Sequence, residues 1–235
     1  MSTPKGIYTI RGAMGCCHLL VDDSHEAVLL DTGLVGERWQ IRRCLQRLGL
    51  GPESVKAILL THGHLDHTGN LLWAKEWTGA PVFAHPMEQA HIDGTFGYAD
   101  INRWCGRLEW CGRKFLRAGG AVPIDHFLSD GDELRFWGGL RVVHLPGHTL
   151  GHCGFYSPRH DLLFSGDLFA SYFFNVHLPP AILNSAPELI ASSLEKARRL
   201  NARFIVPQHY DVLDAELHRR RFEQLLNRRK TKTRV

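Results

Sequence analysis

The 235-residue chain predicts an α/β layered fold, and three observations carry that reading. Short apolar runs of strand length alternate with stretches of helical spacing. Several of those runs end on a histidine or an aspartate. Four metal-capable donors also fall within six residues in Thr61-His62-Gly63-His64-Leu65-Asp66-His67, directly after the buried-strand pattern of Val55 to Leu60. With 44% hydrophobic residues the chain can fill a sizeable core, and residues 1–235 read as a single domain.

Composition excludes several classes. Met1 to Gly6 lacks the apolar centre of a signal peptide, and no window approaches the roughly 18 apolar residues of a membrane span. A cytoplasmic protein with no membrane partner is expected. Six cysteines at no zinc-knuckle spacing read as reduced thiols. The net charge of +4 belongs to the end of the chain, where eight basic residues from Arg219 onward face only Glu223. No aromatics are interleaved with them, so a solvated basic helix is expected rather than a nucleic-acid partner.

In order, Gly6 to Arg11 and Cys17 to Val21 read as short strands, and Glu26 to Leu30 as a buried one ending at Asp31-Thr32-Gly33. Asp31 is either a turn former or a carboxylate that holds a metal-bound histidine in its tautomer. Gly36 to Leu48 predicts an amphipathic helix with Trp39, Ile41, Cys44, Leu45 and Leu48 largely inward, stopped by Gly49 and Pro52. Val55 to Leu60 then delivers the histidine loop. In extended chain, residues two apart point the same way, so His62, His64 and Asp66 can face one point; His67 joins them only if a helix begins there. A histidine-rich surface loop is the bland alternative, but four donors at this spacing behind a buried strand favour a metal site. Imidazole with carboxylate suits zinc, and also iron or manganese.

Pro81 to Ala84 is a further strand ending at His85, followed by one or two helical turns from Pro86 to His91. Residues 93–126 change character: Phe96, Tyr98, Trp104, Trp110 and Phe115 with interleaved arginines predict a helical insertion, either a packing helix or a lid over the metal loop. Phe127-Leu128 and Glu133 to Phe136 read as strands joined by the turn Asp130-Gly131-Asp132. Leu140 to Leu145 is another strand, ending in Pro146-Gly147-His148-Thr149-Leu150-Gly151-His152, where His148 is the better ligand and His152 more often a supporting histidine. Gly154 to Tyr156 and Leu162 to Phe164 form a hairpin that runs into Ser165-Gly166-Asp167. An irregular apolar segment, Leu168 to Leu183, holds Tyr172, Phe173 and Phe174. Ser185 with Glu188 reads as a capping box for the next helix. Arg203 to Val206 is a strand leading to His209, and Asp214 to Arg229 closes the chain as a helix.

His-X-His-X-Asp-His, Pro-Gly-His-Thr-X-Gly-His, Ser-Gly-Asp and a strand-end histidine, in this order and with Leu30-Asp31-Thr32-Gly33 before them, resemble the metallo-β-lactamase superfamily over about residues 6 to 211. The resemblance implies a four-layer αβ/βα sandwich whose strand-end loops meet at one edge. It also implies that His62, His64 and His148 hold one divalent ion and Asp66, His67 and His209 a second, with Asp167 bridging them. Two such ions, zinc before iron or manganese, would stabilise a shared hydroxide that attacks an acyl carbon, with Asp66 orienting it and receiving its proton.

Within that family the motifs resemble the glyoxalase II and acyl-homoserine lactonase branches. Asp167 stands where many true β-lactamases carry cysteine or serine. His64 stands where flavodiiron proteins carry glutamate. No helical C-terminal domain of the glyoxalase II kind follows, which counts against glutathione thioesters. Tyr172 is a possible counterpart of a lactonase's catalytic tyrosine, although its offset from the aspartate does not match closely. The expected activity is dinuclear hydrolysis of an ester, lactone or thioester whose apolar arm lies under the insertion, along the segment Phe96 to Phe115 with Tyr172 and Phe174, where truncating Trp104 or Phe115 is the test. A mononuclear-iron persulfide dioxygenase and a non-catalytic binding member are the alternatives.

Overall fold

The computed structural model describes residues 4–34, 36–98, 102–172 and 175–232. Its strands form two sheets. The first has the order β1 (Ile7–Arg11), β2 (Cys16–Val21), β3 (Ala27–Leu30), β4 (Val55–Leu59), β5 (Val82–Ala84), β6 (His126–Phe127). The second runs β11 (Phe204–Pro207), β10 (Leu162–Gly166), β9 (Cys153–Ser157), β8 (Leu140–His144), β7 (Glu133–Leu134). The helices are α1 (Glu37–Arg47), α2 (Leu65–Thr68), α3 (Leu71–Thr78), α4 (Gln89–Asp93), α5 (Arg103–Leu116), α6 (Ile190–Arg199) and α7 (Ala215–Lys232).

Side-chain alternation makes the layers. Because neighbouring strand residues face opposite ways, Leu19, Leu29 and Ile58 pack with Ile41 and Leu45 of α1 and Leu71 and Ala74 of α3. Leu20, Val28, Leu30 and Leu59 face the other sheet and meet Val142, Phe155, Phe164 and Val206. On the far side of that sheet Val143, Leu163 and Ile205 pack against Leu194 of α6 and Phe222 and Leu226 of α7. Three apolar seams therefore separate four layers, and the expected αβ/βα sandwich is the fold. Central strands buried on both faces explain why their sequences read as unbroken apolar runs.

β3, β4, β5 and β6 are parallel neighbours, as are β10 and β11. Their ends place Asp31, the His62–His67 loop, His85, Asp167 and His209 at strand termini, while antiparallel β8 adds His148.

Several local expectations need correction. Trp39 is 62% exposed, because α1 turns only its Ile41–Leu45 stripe to the sheet. The turn at Asp130-Gly131-Asp132 does not close a hairpin. β6 pairs with β5 in the first sheet and β7 with β8 in the second, so this is where the chain crosses between sheets. The capping box at Ser185 does not form: the Ser185 hydroxyl is buried without a partner, and a 3₁₀ turn, Pro187–Leu189, starts the helix instead. No helix among the described residues is long and apolar enough to cross a membrane.

Candidate metal centre

β4 ends at Leu59, and α2 begins at Leu65 with the peptide N–H groups of His67 and Thr68 bonded to the His64 carbonyl. This early helical turn swings His67 back beside His62; their ring centroids are 4.0 Å apart. Four clusters of possible ligands lie here among the described residues: His62, His64 and His148; His62, His67 and Asp167; Asp66, His67 and His209; and, on the α5 side of His64, His64, Cys105 and Glu109. Within each, one donor atom per residue lies within 4.8 Å of the others.

Asp167 stands between the groups. Its Oδ1 is 3.5 Å from His67 Nε2, and its Oδ2 is 3.5 Å from His148 Nε2 and 3.0 Å from His209 Nε2. Asp66 Oδ2 lies 3.4 Å from His209 Nε2 and 3.6 Å from His67 Nε2. His62, His64, Asp66, His67, His148, Asp167 and His209 are thus drawn to one place. Tyr172 reaches its rim, with the phenol oxygen 3.4 Å from His209 Nδ1.

The outer faces of the His148, His67 and His62 rings are held. Asn184 Oδ1 sits 3.0 Å from His148 Nδ1. Asp31 Oδ2 sits 2.9 Å from His67 Nδ1 and also accepts the Thr61 hydroxyl at 2.8 Å; that hydroxyl is in turn 3.1 Å from His62 Nδ1. Such contacts place the proton on Nδ1 and leave Nε2 a free donor toward the centre. The buried Nε2 atoms of His62, His64 and His67 and Oδ1 of Asp167 have no hydrogen-bond partner among the described residues. His64 Nδ1 and His148 Nε2 face each other at 2.9 Å. Buried acceptors converging at this density are costly unless protons or a cation receive them, and the donor set fits a divalent ion.

Electrostatics divides the set in two. Burial, reinforced by neighbouring histidines, holds His62 and His64 well below the ordinary imidazole range, and burial lowers His148 despite Asp167. For His67 and His209 burial also opposes charge, but Asp167 and Asp66 outweigh it and raise both well above that range. Asp66 and Asp167 are held down by those imidazoliums against burial. In the absence of a cation, protons occupy the carboxylate-rich half; an ion would replace them.

His152 lies outside the ligand set. Its Nδ1 lies 2.9 Å from the Leu145 carbonyl, and its Nε2 accepts the Asp167 peptide N–H at 2.9 Å, so it fixes the backbone of the bridging candidate. Asn184 and Gln208, which donates to Asp31 Oδ2 at 2.6 Å, were not legible as site residues. Asn184 reaches His148 across 36 positions from an irregular segment, and Gln208 carries no motif beyond preceding His209.

The insertion contributes differently from expectation. α5 turns Cys105, Glu109 and Gly112 inward, while Trp104 and Phe115 are 61% and 71% exposed; they do not line the metal edge. Phe96 instead stacks on His91 at 3.7 Å between centroids, and His91 lies 5.3 Å from the His64 ring. Phe96 and Tyr98 line a cavity of about 320 Å³ with Arg103, Gly106, Arg107 and Trp110. Phe174 lies outside the described residues.

Fold and site together define a metallohydrolase-type scaffold of the metallo-beta-lactamase superfamily. The sequence matches that family over residues 14–209, and the chain belongs to it. It is 30% identical over 159 residues to the hydroxyacylglutathione hydrolase GloC of Haemophilus influenzae, covering 65% of each protein, so the chain spans a little under two thirds of that relative. It is 27% identical over 226 residues to the probable metallo-hydrolase YflN of Bacillus subtilis, covering 89% of this chain and 84% of that protein. Among solved structures, the family protein TTHA1429 of Thermus thermophilus superposes with a TM-score of 0.71 at 26% identity, over 98% of this chain and 81% of that one. The di-iron-bound form of TTHA1623 superposes at 0.68 with 26% identity, over 92% and 97%.

Proposed function

We propose that the protein is a dinuclear metal-dependent hydrolase of an ester, lactone or thioester. One observation carries the reading: two ligand clusters meet at Asp167, with buried donor atoms that no group among the described residues satisfies. His62, His64 and His148 would hold one ion, Asp66, His67 and His209 the other, and Asp167 would serve both. When bound, two such ions supply Lewis acidity toward a carbonyl oxygen and lower the pKa of coordinated water toward neutrality.

The side chains do the rest. Asp66, with a side chain 20% exposed against 8% for Asp167, is the carboxylate open to solvent and takes the proton of the attacking water. Tyr172 at the rim donates to the substrate carbonyl or leaving group. The apolar arm lies along Phe96, Tyr98 and Trp110. The likeness to a hydroxyacylglutathione hydrolase supports acyl transfer to water as the reaction class, and zinc and iron both suit the ligands. A complete second cluster favours two ions over the single iron of a persulfide dioxygenase.

Elemental analysis of purified protein should find about two metal ions per chain. A panel of acyl lactones, aryl esters and acyl thioesters should show hydrolysis that stops on chelation and returns on adding metal. One tightly held ion with no hydrolysis of any of these bonds rejects the proposal.

A further inference from the structure

Glu88 ends the 3₁₀ turn Pro86–Glu88 after β5 and is completely buried. Its two oxygens are spent on two different loops. Oε2 accepts the Gly63 peptide N–H at 2.7 Å, between His62 and His64, and Oε1 accepts the Gly151 N–H at 2.8 Å, next to His152 and three residues past His148. The first loop follows β4 of one sheet, the second β8 of the other. A single carboxylate therefore spans the seam between the sheets where the candidate ligands meet, beside the bond from the Cys153 N–H to the Thr61 carbonyl at 2.8 Å.

The two glycines are explained by this approach. Neither has the positive φ that favours glycine, yet a Cβ on Gly63 would lie 2.5 Å from His91 Cβ and 3.1 Å from Glu88 Oε2. On Gly151 it would lie 2.6 Å from Glu88 Oε1. At Gly151 the missing side chain leaves the carboxylate room against the backbone, and at Gly63 it leaves room for His91 first and for Glu88 beside it. Only an ionised carboxylate offers an acceptor to each amide; a carboxamide offers one.

We infer that Glu88 is a positioning residue for the metal centre, setting the spacing of the His62/His64 loop against the His148 loop. This rests on the metal reading above. The charge-assisted bonds from two backbone amides are strong, short and directional, and groups that orient ligands from outside typically carry about 10–100-fold in metal affinity.

The test is zinc affinity of the full chain after metal removal, measured by competition with a chromophoric chelator, together with the visible spectrum of the cobalt-substituted protein. Glu88→Gln, which leaves one amide facing an NH₂ group, should weaken zinc binding about 10–100-fold and alter the cobalt spectrum. Gly151→Ala, which keeps the carboxylate and pushes it away, should shift both readouts in the same direction and covers the case in which Glu88→Gln does not fold. If both sites of the wild type fill and either folded variant binds zinc with unchanged affinity and an unchanged cobalt spectrum, Glu88 merely packs and the inference is overturned, whatever the melting temperature does. A wild type that binds no metal removes the metal reading and this inference together.

Discussion

Asp31 accepts four donors at once: the Thr61 N–H and hydroxyl at 2.8 Å each, His67 Nδ1 at 2.9 Å and Gln208 Nε2 at 2.6 Å. It does so with a φ of 56°, and its contact with His67 is the one that the ligand-orienting reading of this residue requires. Asparagine tolerates that backbone but places an NH₂ where a second acceptor is needed. Asp31→Asn should therefore keep the fold and weaken metal binding about 10–100-fold, read by chelator competition; unchanged affinity would show that His67 needs no orientation from Asp31. For Asp66 the expected loss is in turnover. Asp66→Asn preserves shape and removes the proton acceptor, so hydrolysis should fall by about two to four orders of magnitude, and kinetics alongside elemental analysis separates this from metal loss. Full turnover with two ions bound would assign the proton to another group. The donor residues were legible because each sits at a strand end in a short motif. Their supporters were less so, since Asn184 and Glu88 act across 36 and 63 positions that no local pattern records.

At the scale of elements, strands and helices were legible wherever burial imposed one period, as in β4 or α6. β6 and β7 were read as strands too, but not their pairing, because each is two residues long and its partner is distant in sequence. α5 shows a subtler miss. Its aromatic stripe suggested a substrate wall, but the helix packs through the small and polar residues Cys105, Glu109 and Gly112, with Glu109 Oε1 accepting the Leu65 N–H at 3.3 Å. Large side chains then have to face outward. The proposed arm site consequently narrows to Phe96 and Tyr98, with Trp110, itself 56% exposed, at its edge. For an acyl substrate series, kcat/KM should rise with chain length by up to about tenfold per pair of buried methylenes, at roughly 0.8 kcal/mol each. Phe96→Ala and Trp110→Ala should flatten that slope, and Phe115→Ala should leave it intact. A slope that only Phe115→Ala removes would return the arm to the outer face of α5.

For the molecule as a whole, histidine burial sets the response to acid. Burial is the largest cause in each case that holds His18, His91, His152 and His218 down at about 4, and it lowers His62, His64 and His148 as well. Only His67 and His209 are raised. A histidine whose folded pKa lies below its unfolded value of 6.5 binds its proton more readily in the unfolded chain. Stability contributed by such a group is complete above pH 6.5 and is lost as pH falls toward 4. The two raised histidines act oppositely, contributing stability below pH 6.5 that is lost as pH rises above it, but they are outnumbered. The melting temperature should therefore fall between pH 7 and pH 5, before most carboxylates titrate, with a cost on the order of 1–2 kcal/mol per fully buried histidine at pH 5. Metal adds a second lever. Ions present at a hundredfold excess over their dissociation constant stabilise by about 2.7 kcal/mol, which for a chain of this size is roughly 5–10 °C. Calorimetry with zinc and with chelator across that pH range should thus give two descending curves, the zinc-loaded one higher at pH 7 and the gap closing toward pH 5 as protons compete for the ligands. Curves that coincide at pH 7 would mean that the clustered histidines bind no ion tightly, and a chelated curve that rises toward pH 5 would mean that the His67 and His209 pairs dominate the titration.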